Sequence, residues 1–351
     1  MPIDVLIVGQ GLAGSILAWE FIQQGHKVLV IDNGNMNASQ VAAGLINPVT
    51  GQRLVKQTGI EQLLPAAMTC YEQFTSRFKQ PFFKSLPMLR ILKSPLEQQS
   101  VQKRLHQSDY QDYLSVVENA PDAMTAAYGV LQQHQTGYIN TKALLTQIRL
   151  FLIENANYQQ AIFDHAEICL QPNLSWRGIQ ARHLVFCEGH QALKNPWFGK
   201  LPFQLAKGEI LQCHSLGIQQ QHILNYGHWL IPNGEHRFKL GASFESGKTD
   251  TKTTEQAKQT LLQSLGKILP DLQPVSVLEQ QAGIRPTTLD KQPFIGSHPQ
   301  FANLHIFNGF GAKGSLLIPW YARQFAKSLF QKTTLPINAD IQRYYETHFA
   351  H

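Results

Sequence analysis

The chain has 351 residues, 43% hydrophobic and 15% charged, which excludes a disordered or fibrous protein and suffices for one large or two interlocked domains. Its formal charge of +6 is a mild basic excess with no Lys/Arg block, so nucleic acid is not the default partner, and an anionic substrate or cofactor accounts for it as well. No apolar run approaches the roughly 18 residues of a membrane span.

Asp4-Val5-Leu6-Ile7-Val8 reads as a buried parallel strand, Gly9-Gln10-Gly11-Leu12-Ala13-Gly14 as a tight turn, and residues 15–24 as the amphipathic helix that follows. Val28-Leu29-Val30-Ile31-Asp32 is a second strand, ending in an acid about 20 residues past the turn, with Asn33 beside it. This is a dinucleotide cradle. Gly9 permits the turn, Gly11 lets a pyrophosphate approach, Gly14 lets helix and strand pack closely, and Asp32 accepts from a ribose hydroxyl. The strand starts too near residue 1 to leave room for a leader, so a cytoplasmic protein is expected. Next come Ala38-Ser39-Gln40-Val41-Ala42-Ala43-Gly44-Leu45-Ile46. These small residues either let backbone approach something flat and large or form a short helix packed on the sheet.

The N-terminal GxGxxG turn, the acid ending the second strand and the A-S-x-x-A-A-G segment together resemble FAD-binding oxidoreductases of the D-amino-acid oxidase superfamily. That group includes glycine and sarcosine oxidases and the oxidase domain of an enzyme modifying the tRNA wobble uridine. The resemblance implies an α/β fold: a Rossmann-like FAD-binding domain (residues 1–80, 137–200 and 281–351) interleaved with an antiparallel-sheet substrate domain (81–136 and 201–280). It implies that Asp32 binds the adenosine ribose and that Ser39, Ala42, Ala43, Gly44 and Leu45 lie against pyrophosphate and flavin. Sarcosine oxidases carry R-x-x-R where this chain has Arg53 and Lys56, implying one cation beside the flavin and one on the substrate carboxylate. Two solvated cations is the other reading.

Thr58-Gly59-Ile60-Glu61 is a capping-box pattern opening a helix to about residue 78. Residues 82–93 suggest a strand pair, and the polar stretch to residue 122 surface helices. Gly137-Tyr138-Ile139-Asn140-Thr141 ends a strand, with Thr141 placed to cap a helix over 142–154. Residues 181–189 form a strand whose end, Gly189, passes near the FAD by resemblance; Glu188 is either functional or a satisfied buried acid. Residues 203–214 and 223–244 alternate like antiparallel strands. Lys239, in a K-L-G similar to that of sarcosine oxidase, is implied to sit over flavin N5 and assist oxygen reduction, and Tyr226 and Trp229 are candidates for an aromatic wall.

Residues 254–269 form a one-faced helix. Gly283-Ile284-Arg285-Pro286-Thr287-Thr288-Leu289-Asp290 then matches the superfamily's G-x-R-P-x-T-x-D, in which the Arg clamps the substrate carboxylate; a structural ion pair is its other reading. That segment contains no Cys, so the FAD is expected to be non-covalent there. Gly309-Phe310-Gly311-Ala312-Lys313-Gly314 enters a helix whose free N–H groups, by resemblance, face the flavin pyrimidine edge. Residues 337–351 read as a terminal surface helix, and Cys70, Cys169, Cys187 and Cys213 as separate buried thiols, with no metal site. The implied reaction is oxidation of a C–N bond in a small amine or amino acid, with oxygen reoxidising the flavin. A tRNA carboxymethylaminomethyl group as substrate, or a quinone or carrier protein as acceptor, are the alternatives.

Overall fold

Strands apolar on both faces need cover above and below. The computed structural model, which describes residues 2–117, 124–218 and 221–349, provides it. Ile3–Val8 lies between Val28–Asp32 and Ile179–Phe186, with Tyr158–Gln160 and Leu304–Asn308 extending the parallel sheet on either side. Val5, Ile7, Val30, Val185 and Phe307 bury one face under the helices Leu12–Gln23, Ile60–Phe78, Thr141–Glu154 and Gly314–Gln331. Leu6, Val8, Ile31, Leu184, Phe186 and Ile306 pack the other around Trp176 and Phe198. Successive residues thus serve opposite cores, as the two-residue strand period demands.

A second, mixed sheet is built on Phe203–His214, paired along its length with Ser276–Thr288 on one edge and with Arg237–Gly241 on the other. It continues through Trp229–Pro232, Ile223–Asn225, Met88–Ile91 and Val130–Gln133. Leu211, Cys213, Leu224, Leu230 and Leu240 meet Leu261 and Leu265 of the helix Glu255–Ile268. On the opposite face Met88, Ile223, Ile231 and Trp229 pack with Ala43, Leu45 and Tyr138, so this face looks onto the small-residue segment.

Thr254 ties the helix Glu255–Ile268 to the sheet. Its Oγ1 accepts from the Ala257 N–H, while its own N–H and hydroxyl each donate to the fully buried Glu209 at 2.9 Å. Thr254→Val removes the cap and one Glu209 donor, and is expected to lower the unfolding free energy in urea by about 2 kcal/mol without changing flavin content.

Several sequence expectations are corrected. Gly59, in the left-handed region (φ 75°), precedes the helix Ile60–Phe78, and no side chain caps it, so Thr58 does not. Asn140, not Thr141, caps Thr141–Glu154, accepting from Ala143 N at 3.2 Å. The strands Phe83–Ser85 and Met88–Ile91 separate into different sheets because each finds a longer-range partner, Gly137–Ile139 and Val130–Gln133 respectively. Among the described residues the polar stretch contains one α-helix, Pro95–Leu105, a 3-10 turn over Ser108–Tyr110 and then the strand Leu114–Val116; residues 118–123 lie outside the described residues. The tail is not one surface helix: it is irregular to Asp340, then forms a 3-10 turn over Ile341–Tyr344 and the four-residue helix Tyr345–His348, with Ile341 fully buried and Arg343 bonding Asp290 and the Pro293 carbonyl; residues 350 and 351 lie outside the described residues. Cys169 is exposed, in a two-residue edge strand; the other three thiols are buried. Among the described residues no helix is long and apolar enough to cross a membrane.

Candidate cofactor cradle and active-site face

The glycine turn is shaped by close approach. Gly9 has φ 102°, and a Cβ there would lie 2.5 Å from the Cys187 carbonyl oxygen; one on Gly14 would collide with the Gly9 carbonyl oxygen. Gly11 differs. Its backbone is extended (φ −75°, ψ −172°), and an added Cβ would meet only Ser39 Oγ at 3.3 Å and Asn37 Oδ1 at 4.0 Å. No backbone atom lies within 4 Å of that Cβ, so Gly11, unlike Gly9 and Gly14, is not required by the close approach of another chain segment. Leu12 N–H and Ser39 Oγ meet there at 3.0 Å. Asp32 accepts from Gln10 N–H and Gly34 N–H, both at 2.8 Å, and faces Arg149. A diphosphate flanked by donors and a ribose beside Asp32 fit this end.

The small-residue segment opens with the four-residue helix Ala38–Val41, capped by Asn37, and continues through Gly44, whose φ of 72° and approach to the Ile139 carbonyl bar any Cβ. Leu45–Ile46 then pairs with Gly137–Ile139. The short-helix reading of the segment holds, since its helix packs on Gly283 of the long edge strand, where an added Cβ would be 3.3 Å from Ala38 Cα. Four residues on, Thr287 lies against Gly311. Arg285 therefore sits between the small-residue segment and the turn entering Gly314–Gln331, a helix that has no side-chain cap.

Arg285 is half-buried, and among the described residues its guanidinium has no hydrogen bond or ion pair. It lies directly over Gly208, where an added Cβ would collide with Nη2. Burial holds its pKa below the usual arginine value. Strand register sets Lys239 opposite Gln212 and Ile231, and Trp229 opposite Gly241, so alternation puts Lys239, Trp229 and Arg285 on one face. Lys239 is half-buried with no polar partner among the described residues; burial, with Lys142 nearby, lowers its pKa.

Other sequence candidates are placed elsewhere. Tyr226 falls on the helix-covered face with Leu224 and Leu230, so it is core and not an aromatic wall. Lys56 bonds Glu61 at 3.1 Å and Asp109 at 3.3 Å, and the Glu61 hydrogen bond raises its pKa; Arg53 is exposed. Among the described residues neither makes a hydrogen bond or ion pair with Arg285. Glu188 is a satisfied buried acid, held by His165 and Asn195 at 2.8 Å each, while Gly189 (φ 58°) offers its carbonyl to Asn308. Lys313 is exposed and donates to Gln57. Among the described residues no group of His, Cys, Asp or Glu could hold a metal ion. Sequence reading missed Gln10, Gly208 and Arg149, although Arg149 is the lone charge in the otherwise uncharged run 143–153.

A glycine turn at the C-terminal end of a central parallel strand, with a second sheet presenting Arg285 and Lys239, defines a dinucleotide-binding protein. The chain belongs to the FAD dependent oxidoreductase family, whose model matches residues 4–328, so the cofactor is FAD. It is 22% identical to the glycine oxidase of Bacillus licheniformis over 341 residues, covering 90% of each chain. It is also 22% identical to the tRNA 5-methylaminomethyl-2-thiouridine biosynthesis bifunctional protein MnmC of Acinetobacter baylyi, covering 89% of this chain and 50% of that protein. The crystal structure of glycine oxidase from Geobacillus kaustophilus superposes with a TM-score of 0.82 at 18% identity, covering 98% of both chains.

Proposed function

We propose that the protein oxidises the C–N bond of a small amine or amino acid carrying a carboxylate. The observation that carries this reading is the half-buried Arg285 guanidinium, without a partner among the described residues, on the face that looks toward the small-residue segment. When bound, FAD would supply the two-electron acceptor for oxidation of the carbon beside nitrogen, with oxygen as the final acceptor giving hydrogen peroxide and water hydrolysing the imine product to a carbonyl compound and a free amine. The chain's own work is positioning. Arg285 grips the carboxylate through two parallel N–H donors, Trp229 supplies apolar wall, and no side-chain base is required. The division into a cofactor domain (1–80, 137–200, 281–351) and a substrate domain (81–136, 201–280) belongs to the same proposal, with the strand Ser276–Thr288 crossing the last boundary.

Lys239 Nζ is assigned the promotion of oxygen reduction by its charge and proton. Lys239→Met is expected to slow reoxidation of the reduced enzyme about a hundredfold and leave reduction by substrate little changed. Because burial lowers this pKa, the wild-type reoxidation rate should fall as pH rises through a value below the ordinary 10.5. Stopped-flow mixing of reduced enzyme with oxygen across pH reads both effects.

A screen of amino acids and N-substituted glycines for anaerobic bleaching of the flavin tests the substrate class; failure of every carboxylate-bearing amine would sink it. The similarity to the tRNA-modifying protein supports a second reading, a carboxymethylaminomethyl group on tRNA, which presents the same secondary amine and carboxylate. Turnover of free small amines that is insensitive to salt would count against it.

A further inference from the structure

Between the first two glycines of the turn stands a glutamine that is 1% exposed. Gln10 Nε2 donates to Ser15 Oγ at 2.9 Å and to the Leu145 carbonyl at 3.2 Å, and its Oε1 accepts from Arg149 Nε at 2.6 Å. Arg149 then reaches Asp32 Oδ1 at 3.4 Å, while Asp32 Oδ2 accepts from the Gln10 backbone N–H at 2.8 Å. The circuit closes on itself: Gln10 side chain, Arg149, Asp32, Gln10 backbone. The guanidinium also lies over the Tyr158 ring, 5.6 Å from its centroid.

A carboxylate that must accept from a ribose needs a fixed orientation more than it needs extra charge. Two backbone N–H groups hold Asp32, Gln10 from the glycine turn and Gly34 from the turn after its own strand. The third partner comes from a different element, the helix Thr141–Glu154, and its guanidinium plane is itself set by Gln10 and Tyr158. That helix follows directly on Gly137–Ile139, the strand paired with Leu45–Ile46 in the small-residue segment. We propose that Arg149 is a positioning residue for the adenosine end of FAD, holding Asp32 through a Gln10-anchored guanidinium. The helix Thr141–Glu154 then sets cofactor affinity together with the glycine turn.

The test uses flavin-free apoprotein of the wild type, Arg149→Met and Arg149→Lys. Each is titrated with FAD by flavin fluorescence, with ADP as a competitor that carries only the adenosine half. Arg149→Met is expected to raise the Kd for FAD about tenfold and the Ki for ADP by the same factor, with Arg149→Lys between it and the wild type. A brace that only supports the fold would lower the apoprotein's urea midpoint and leave both constants within twofold, which overturns the proposal. So would a raised FAD Kd with an unchanged ADP Ki. If Arg149→Met does not fold, the same two constants for Arg149→Lys decide it. Neither measurement involves an amine, so failure of the substrate assignment leaves this result intact.

Discussion

Arg285→Ala is expected to lower kcat/KM on the best amine substrate by about 2–5 kcal/mol, roughly 30-fold to 5,000-fold, while the flavin stays bound. The magnitude follows from the side chain's surroundings. A guanidinium under partial burial, with its pKa held down and no acid or carbonyl offsetting its charge among the described residues, is poorly placed for stability. Removing it should therefore leave the unfolding curve unchanged or shift it to higher denaturant, the opposite of what a structural ion pair predicts. Gly208→Ala gives a second route to the same site. Its Cβ would displace Nη2 and leave the charge in place, so KM should rise more than kcat falls. Unchanged kcat/KM in Arg285→Ala, with a lowered urea midpoint, would return Arg285 to a purely structural role.

What the sequence disclosed was whatever is written within a few residues. The first strand and glycine turn are contiguous, and their geometry follows from an apolar run and missing Cβ atoms. The strand carrying Arg285 is likewise recognisable from its own residues. Pairings across the chain were hidden. Lys56 looked like a substrate cation until Asp109, 53 residues on, came to neutralise it. The Arg149–Asp32 contact spans 117 residues, and nothing local to Asp32 announces it. Tyr226 shows a third kind of blindness. Which face of a sheet an aromatic takes depends on strand parity, and a shift of one residue would exchange pocket wall for core. Trp229, three positions later, has the opposite parity and does face the small-residue segment.

The glycines of the turn separate fold from ligand, and two alanine variants should behave differently. Gly14→Ala puts a Cβ into the Gly9 carbonyl oxygen, within 3.1 Å of the carbonyl carbon and 3.3 Å of Cys187 Cβ. Those atoms belong to the backbone of the first strand and to the neighbouring strand's end, so relief requires the helix Leu12–Gln23 to lift off the sheet. The expected cost is about 3 kcal/mol or more, seen as loss of soluble protein or a much lower urea midpoint in the apoprotein itself. Gly11→Ala meets no backbone, and its φ and ψ suit alanine. That apoprotein should unfold like the wild type, yet bind FAD at least about tenfold more weakly, because the new methyl takes the space a pyrophosphate needs. Isothermal urea unfolding of both apoproteins, beside FAD titrations, separates the two. If Gly11→Ala binds FAD as the wild type does, the diphosphate does not approach at Gly11, and the helix N-terminus would lose its assignment.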